Sequence, residues 1–197
     1  WPGTTIKDKH KEHLQGKLLS QMRAYPVFLT EKEMDKFYYG FCNRTIWPLF
    51  HYLPSYVAYE ADYWDSYRYV NQVYFQSLKD IVKPDDLIWI HDYHLMLLPK
   101  LLRDQFPKLR IGFFLHIPFP SYEIFRLLPR TWGREMLEGL LGADLLGFQT
   151  QFYCNNFLDT VNRLIECRVD MERFSVVRAR KETFVRSFPI SVAPPAR

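Results

Sequence analysis

The chain has 197 residues, a formal charge of +4, 48% apolar residues and 17% aromatics. That length and apolar share suffice for one domain with a real core and exclude a disordered chain. The basic residues are dispersed apart from Arg178-Ala-Arg-Lys181, which excludes the dense patch of a nucleic-acid face and leaves a small anion such as a phosphate as the fitting partner.

No apolar run approaches membrane-spanning length. Cys42, Cys154 and Cys167 have neither metal nor redox spacing, and their number is odd. With no signal peptide visible, the expected compartment is the reducing cytoplasm. The chain opens on Trp1-Pro-Gly rather than methionine, so its natural start is expected to lie upstream. The homo-oligomeric state is left open.

Trp1 to Thr5 reads as a loop. Asp8 to Met22 is polar with Leu14, Leu18 and Leu19, and predicts a surface helix. Ala24 to Leu29 predicts a short strand. Thr30 followed by Glu33 is a capping box, starting a helix to about Cys42 with Phe37 and Tyr38. Asn43 is expected to cap the next helical turn, Ile46 to Tyr52. Asp62 opens a long helix with Tyr63, Tyr67, Val70, Tyr74 and Leu78 on one stripe.

Leu87-Ile-Trp-Ile and Ile111-Gly-Phe-Phe-Leu are apolar runs too short for helices, and read as strands buried on both faces in a parallel sheet. The helical spacing of Met96 to Phe106 between them makes a βαβ unit, with Pro99 in the first turn or at a kink. Ser121 caps a short helix through Leu127, and a second runs from about Thr131 to Leu141. Asp144 to Gln149 is a third strand. Thr150 caps a helix to about Cys167, with Phe152, Phe157, Val161, Leu164 and Ile165 turned inward. Phe174 to Val177 and Thr183 to Phe188 flank the basic turn as a hairpin. Pro189 to Val192 predicts one more strand. The fold class is α/β, a Rossmann-like parallel sheet flanked by helices.

Ligands in open α/β sheets sit beyond the carboxyl ends of the strands. The first two strands end there in His91-Asp92-Tyr93-His94 and His116-Ile-Pro-Phe-Pro120, so Asp92 and His116 are expected to face one crevice. A carboxylate so placed accepts two sugar hydroxyls, or acts as a base if its pKa is raised; equally, Asp92 is a helix N-cap. His91, Asp92, His94 and His116 are also a conceivable metal set for a metal-assisted hydrolase, although the spacing fits no common zinc signature. A strand-end histidine bonded to backbone is the plainer role for His91. His116 with its two prolines suits either a rigid polyol-binding loop or a strand terminator. Tyr38 and Trp47 suit the apolar faces of a sugar and equally suit a core. Walker loop, dinucleotide fingerprint and nucleophile elbow are all missing.

Phe37-Tyr-Tyr-Gly-Phe-Cys-Asn43, Ile46-Trp-Pro-Leu-Phe-His-Tyr52, Trp89-Ile-His-Asp-Tyr-His-Leu-Met-Leu-Leu-Pro99, Phe113-Phe-Leu-His-Ile-Pro-Phe-Pro120 with Glu123-Ile-Phe-Arg126, and Gly142-Ala-Asp-Leu-Leu-Gly-Phe148 follow one another in a fixed order. This series resembles the trehalose-6-phosphate synthases, retaining GT-B glycosyltransferases of family 20, and specifically their amino-terminal lobe. The resemblance runs from Trp1 to about Val192. It implies an acceptor-side lobe over residues 1–192 lacking its first strands, an unstructured tail over 193–197, and a carboxyl-terminal donor lobe outside this chain.

The resemblance also implies the reaction. Glucose passes from UDP-glucose to glucose 6-phosphate with retention of configuration, giving trehalose 6-phosphate and UDP, with no cofactor and no metal. By position, Tyr38 and Asp92 correspond to acceptor contacts, Trp47 and Ile117 to the pair shaping the pocket for one anomer, and His116 to the catalytic residue beside the transferred glucose. The isolated chain is expected to be inactive. Tyr39 stands where many relatives carry Asn, and the stretch from Asp144 to the end diverges. An acceptor such as glycerol 3-phosphate, or a non-catalytic sugar-phosphate-binding homologue, are the competing expectations.

Overall fold

A computed structural model of the protein describes residues 8–191, with side chains from residue 10. Helix α1 spans Asp8–Met22, as its leucine spacing predicts. Residues 23–30 then run without regular structure. The strand expected over Ala24 to Leu29 does not form, because Pro26 offers no donor and no neighbouring strand is there to pair with it.

The Thr30 capping box is present: Glu33 N donates to Thr30 Oγ1 at 3.3 Å and Thr30 N to Glu33 Oε2 at 2.6 Å. It opens one continuous helical run made of α2 (Glu31–Met34), a π-helix (Asp35–Ile46) and α3 (Trp47–Phe50). Asn43 therefore caps nothing; it lies inside the π-helix. A 3₁₀ turn, Pro54–Tyr56, leads to α4 (Ala61–Leu78), which turns Trp64, Tyr67, Val70 and Asn71 into the core.

Strand β1 (Leu87–His91), a 3₁₀ turn (Tyr93–Leu95), α5 (Leu98–Gln105) and β2 (Arg110–Phe114) form the expected βαβ unit, with Pro99 in the first turn of α5. Next come α6 (Tyr122–Phe125), α7 (Arg130–Leu140), β3 (Leu145–Phe148) and α8 (Gln151–Leu164). Strands β4 (Arg168–Asp170), β5 (Ser175–Arg178) and β6 (Lys181–Ser187) complete a six-stranded sheet of order β1-β2-β3-β6-β5-β4.

The sheet is mixed rather than wholly parallel. β1, β2, β3 and β6 run parallel, while β5 pairs antiparallel with both β6 and β4. The tight turn at Ala179 and Arg180, both at positive φ, reverses the chain and leaves no room for a crossover. Thr150 caps α8 as expected, accepting from Tyr153 N, but the helix stops at Leu164, and Phe152 is exposed rather than inward. Residues 189–191 extend no ladder; Ile190 N donates instead to the Gln149 side chain. Val192 and the expected tail 193–197 lie outside the described residues.

Among the described residues the burial expected on both faces is met on one face only. Ile90, Ile111, Phe113, Leu115, Leu146, Phe148 and Val185 are buried in the core, yet Leu87 and Trp89 on the other face are about two-thirds exposed. A shallow cavity of about 510 Å³ lies on that open face, lined by Trp89, Phe114, Leu145 and Phe188 and by His91 and His116.

The amino ends of the strands are tied by one polar network. Arg103 donates to both oxygens of Asp144 at 2.7 Å, to Gly142 O at 3.1 Å and to Pro107 O at 2.7 Å. Asp144 also accepts from Ile111 N at 2.8 Å. Lys181 donates to the carbonyls of Leu141 and Ala143 and to Thr183 Oγ1.

Candidate functional site

The carboxyl end of β1 is where the backbone departs furthest from ordinary geometry. Asp92 has φ 70° and ψ 171°, a region open essentially to glycine alone, costing a side-chain-bearing residue about 1–3 kcal/mol. Its N–H still donates to Phe114 O at 2.8 Å, extending the ladder to β2. Its Oδ1 accepts from His116 N at 3.3 Å. The Asp92 side chain caps no helix, so the N-cap role considered for it is not the one it has.

Two buried polar side chains of α4 hold the turn that follows. Tyr67 Oη donates to Tyr93 O at 2.8 Å and accepts from Met96 N at 3.0 Å. Asn71 Nδ2 donates to His94 O at 3.1 Å, and its Oδ1 accepts from Leu97 N at 3.2 Å. Tyr67 belongs to the stripe read from the sequence. Asn71 was missed, though an amide one residue past Val70 in a buried helix was the available signal.

His94 is sandwiched between rings. Tyr38 stacks on it at 5.6 Å and 10°, and Tyr93 lies at 4.1 Å. Burial holds its pKa below the usual imidazole value, against a smaller upward pull from Asp92. Its buried Nε2 has no hydrogen-bond partner among the described residues. Tyr93 Oη donates to Asn43 Oδ1 at 3.3 Å, and burial pushes the Tyr93 phenol strongly upward. Beside them, burial and then Asp92 push the Cys42 thiol well up.

His116 emerges at the end of β2 and is exposed, with His91 Nδ1 at 3.0 Å from its Nε2 and Phe114 edge-on to its ring. His91 thus bonds a second imidazole rather than the backbone. Ile117 and Pro118 are half-buried, and Phe119 and Pro120 are buried. The Ser121 N–H at the loop's end donates to Tyr52 Oη at 2.9 Å, tying the loop to the chain just after α3. Trp47 is 42% exposed and stacks on His51 at 4.0 Å.

The structure therefore joins Asp92 and His116 directly and brings Tyr38 to the same turn through His94. Trp47 and Ile117 sit on the two flanking elements that the Tyr52–Ser121 bond ties together. His91, Asp92, His94 and His116 do not converge as ligands. The His91 and His116 rings bond each other while His94 is stacked elsewhere, and among the described residues no three His, Cys, Asp or Glu side chains group as a metal site. What remains at the strand ends is a carboxylate bonded to the backbone of an exposed imidazole, with the Tyr38 ring at the adjoining turn, groups of the kinds that recognise a polyol.

The chain matches the model of glycosyltransferase family 20 over residues 1–196. It belongs to that family. A bifunctional trehalose-6-phosphate synthase/phosphatase of Thermoproteus tenax is 45% identical over 182 residues, which are 92% of this chain and 24% of that protein. The Candida albicans trehalose-6-phosphate phosphatase N-terminal domain superposes with a TM-score of 0.83 at 37% identity, covering 94% of this chain and 39% of that one. A UDP-forming α,α-trehalose-phosphate synthase from Burkholderia xenovorans, solved with glucose 6-phosphate, gives 0.76 at 36% identity over 83% of this chain and 36% of that one. The chain thus spans between a quarter and two-fifths of these family members and shares their α/β fold. None of its described helices is long and apolar enough to cross a membrane.

Proposed function

We propose that this chain is the acceptor-side, amino-terminal lobe of a UDP-forming trehalose-6-phosphate synthase and that its crevice receives glucose 6-phosphate. The observation that carries the reading is Asp92. Its carboxylate is held in a glycine-like conformation against the His116 amide, at the strand ends where α/β sheets bind ligands. The Burkholderia xenovorans relative solved with glucose 6-phosphate supports that choice of acceptor.

In this reading Asp92 and Tyr38 bind the acceptor, and Trp47 and Ile117 shape its pocket. His116 hydrogen-bonds a hydroxyl of the glucose being transferred. The acceptor hydroxyl oxygen forms a bond to the anomeric carbon on the face from which UDP leaves. The anomeric C–O bond to the diphosphate breaks, its electrons go to the UDP oxygen, and the hydroxyl proton passes to that phosphate. Configuration is retained. The protein's part is to orient the reactants and stabilise developing charge. The residues facing the UDP belong to the rest of the enzyme, and the site of action is the cytoplasm.

A second reading, a sugar-phosphate-binding lobe without turnover, is favoured by the likeness to the amino-terminal domain of a trehalose-6-phosphate phosphatase. UDP release distinguishes the two. The 197-residue chain should release no UDP from UDP-glucose plus glucose 6-phosphate. The longer protein should release it, and Asp92→Asn there should lower kcat/KM for glucose 6-phosphate by about tenfold or more, since a charge-assisted hydrogen bond contributes about 1.5–3 kcal/mol. A longer protein that binds glucose 6-phosphate without turnover would establish the second reading. Preference for glycerol 3-phosphate would overturn the acceptor assignment.

A further inference from the structure

The helix that carries Tyr38 is π-helical for twelve residues, Asp35–Ile46, whereas π-turns usually occur singly inside α-helices and often at functional sites. We propose that this register is what puts Tyr38 and Trp47 on one wall of the crevice, and that Asn43 is the positioning residue that keys the register to the Asp92 turn. The inference rests on the reading of this crevice as a sugar-phosphate site.

The geometry runs from the hydrogen bonds. Trp47 N donates to Cys42 O, five residues back. Such a ladder winds at roughly 4.4 residues per turn, against 3.6 in an α-helix. Nine residues separate Tyr38 from Trp47. In an α-helix that is about two and a half turns, and the rings would point to opposite sides. In the π-register it is about two turns, and they return to the same side. Burial follows the wider period: Phe37, Phe41 or Cys42, and Ile46 are buried, while Asp35, Tyr39 and Arg44 are exposed.

The face that holds Tyr38 meets the turn after Asp92 at two points. Tyr38 stacks on His94, and Asn43 Oδ1 accepts from Tyr93 Oη. Trp47 is next along that line. At the exit Pro48 has no N–H to offer, and Arg44 O accepts instead from Ala58 N at 2.8 Å. On the opposite side Gly40 lets the helix lie against α4, because a Cβ there would sit 2.8 Å from the Tyr63 ring.

Saturation-transfer NMR on the 197-residue chain tests this, with glucose 6-phosphate as the probe and Tyr and Trp rings labelled selectively. Magnetisation should reach the sugar protons from both Tyr38 and Trp47. Deleting the exposed Tyr39 should abolish transfer from Trp47 and weaken binding by about tenfold. Inserting one alanine after Arg44 in that chain should restore both. Asn43→Ala should weaken binding several-fold, and Asn43→Asp, which keeps the acceptor oxygen for Tyr93, should recover it. Transfer from Tyr38 alone in the unaltered chain, or Trp47 transfer surviving the deletion, would overturn the register proposal and leave the site standing. Wild-type affinity in Asn43→Ala would overturn the role of Asn43. Absence of transfer from both rings would instead reject the sugar-phosphate reading.

Discussion

The two ends of the parallel strands are built to opposite standards. At the amino ends, Arg103, Asp144, Lys181 and Thr183 saturate one another and the surrounding carbonyls. At the carboxyl ends, Asp92 is strained, His94 Nε2 is buried without a partner among the described residues, and His91 and His116 meet at the surface. One end of the sheet thus holds polar groups that satisfy one another, and the other a strained carboxylate beside a buried imidazole. Residues of the first kind should govern stability, and residues of the second should govern binding at some expense to stability.

The largest effect should come from the saturated end. Asp144→Ala leaves a guanidinium that is largely out of water, together with the Ile111 N–H, without their acceptor. Urea denaturation should show a loss of about 3 kcal/mol, while glucose 6-phosphate affinity, measured on the folded fraction, stays at the parental value. A matching loss of affinity would blur the division between the two ends.

Tyr67→Phe should come next. It removes a hydroxyl that serves both Tyr93 O and Met96 N inside the core. The expected loss is about 2 kcal/mol, and here binding should weaken as well, because those bonds hold the turn that presents Asp92. Stability lost with binding intact would mean that α4 does not position the site.

The smallest effect concerns pH. His94 has its folded-state pKa below the ordinary 6.5 because it is buried. Above pH 6.5 it is neutral in both states and contributes no pH dependence. As pH falls below 6.5 the unfolded chain binds the proton first, so stability declines until the folded-state pKa is passed. His94→Phe keeps a ring beside Tyr38 but cannot titrate. Denaturation at pH 7.5 and 5.5 should show a smaller drop in that variant than in the parent; equal drops would remove His94 as the cause.

What the sequence revealed follows the range of the interactions. The β1–α5–β2 unit, the Thr30 and Thr150 caps and the Tyr67 stripe depend on spacings of two to four residues and were legible. So was the clustering of Asp92 with His116, because parallel topology alone brings adjacent strand ends together. The π-register was not, since Phe37 and Phe41 suit α and π spacing alike, and a helix break at Asn43 accounted for Ile46 equally well. Nor was the positive φ of Asp92, which is imposed by partners as distant as Phe114 and His116. The antiparallel β5–β6 hairpin was legible in its two arms around the basic turn, whereas β4, three residues long with a single apolar side chain, was not. The open face of β1 was hidden because Leu87 and Trp89 are as apolar as the buried Ile90.

The central claim is that Asp92 is kept in a costly conformation for the sake of the ligand, and Asp92→Gly addresses it directly. Glycine adopts φ 70° without strain, so the variant should be more stable than the parent by about 1 kcal/mol in the absence of ligand. Glucose 6-phosphate should raise the thermal midpoint of the parent, as any ligand of the folded state does, and leave that of Asp92→Gly unmoved. A glycine variant that is less stable than the parent yet still stabilised by glucose 6-phosphate would contradict the account.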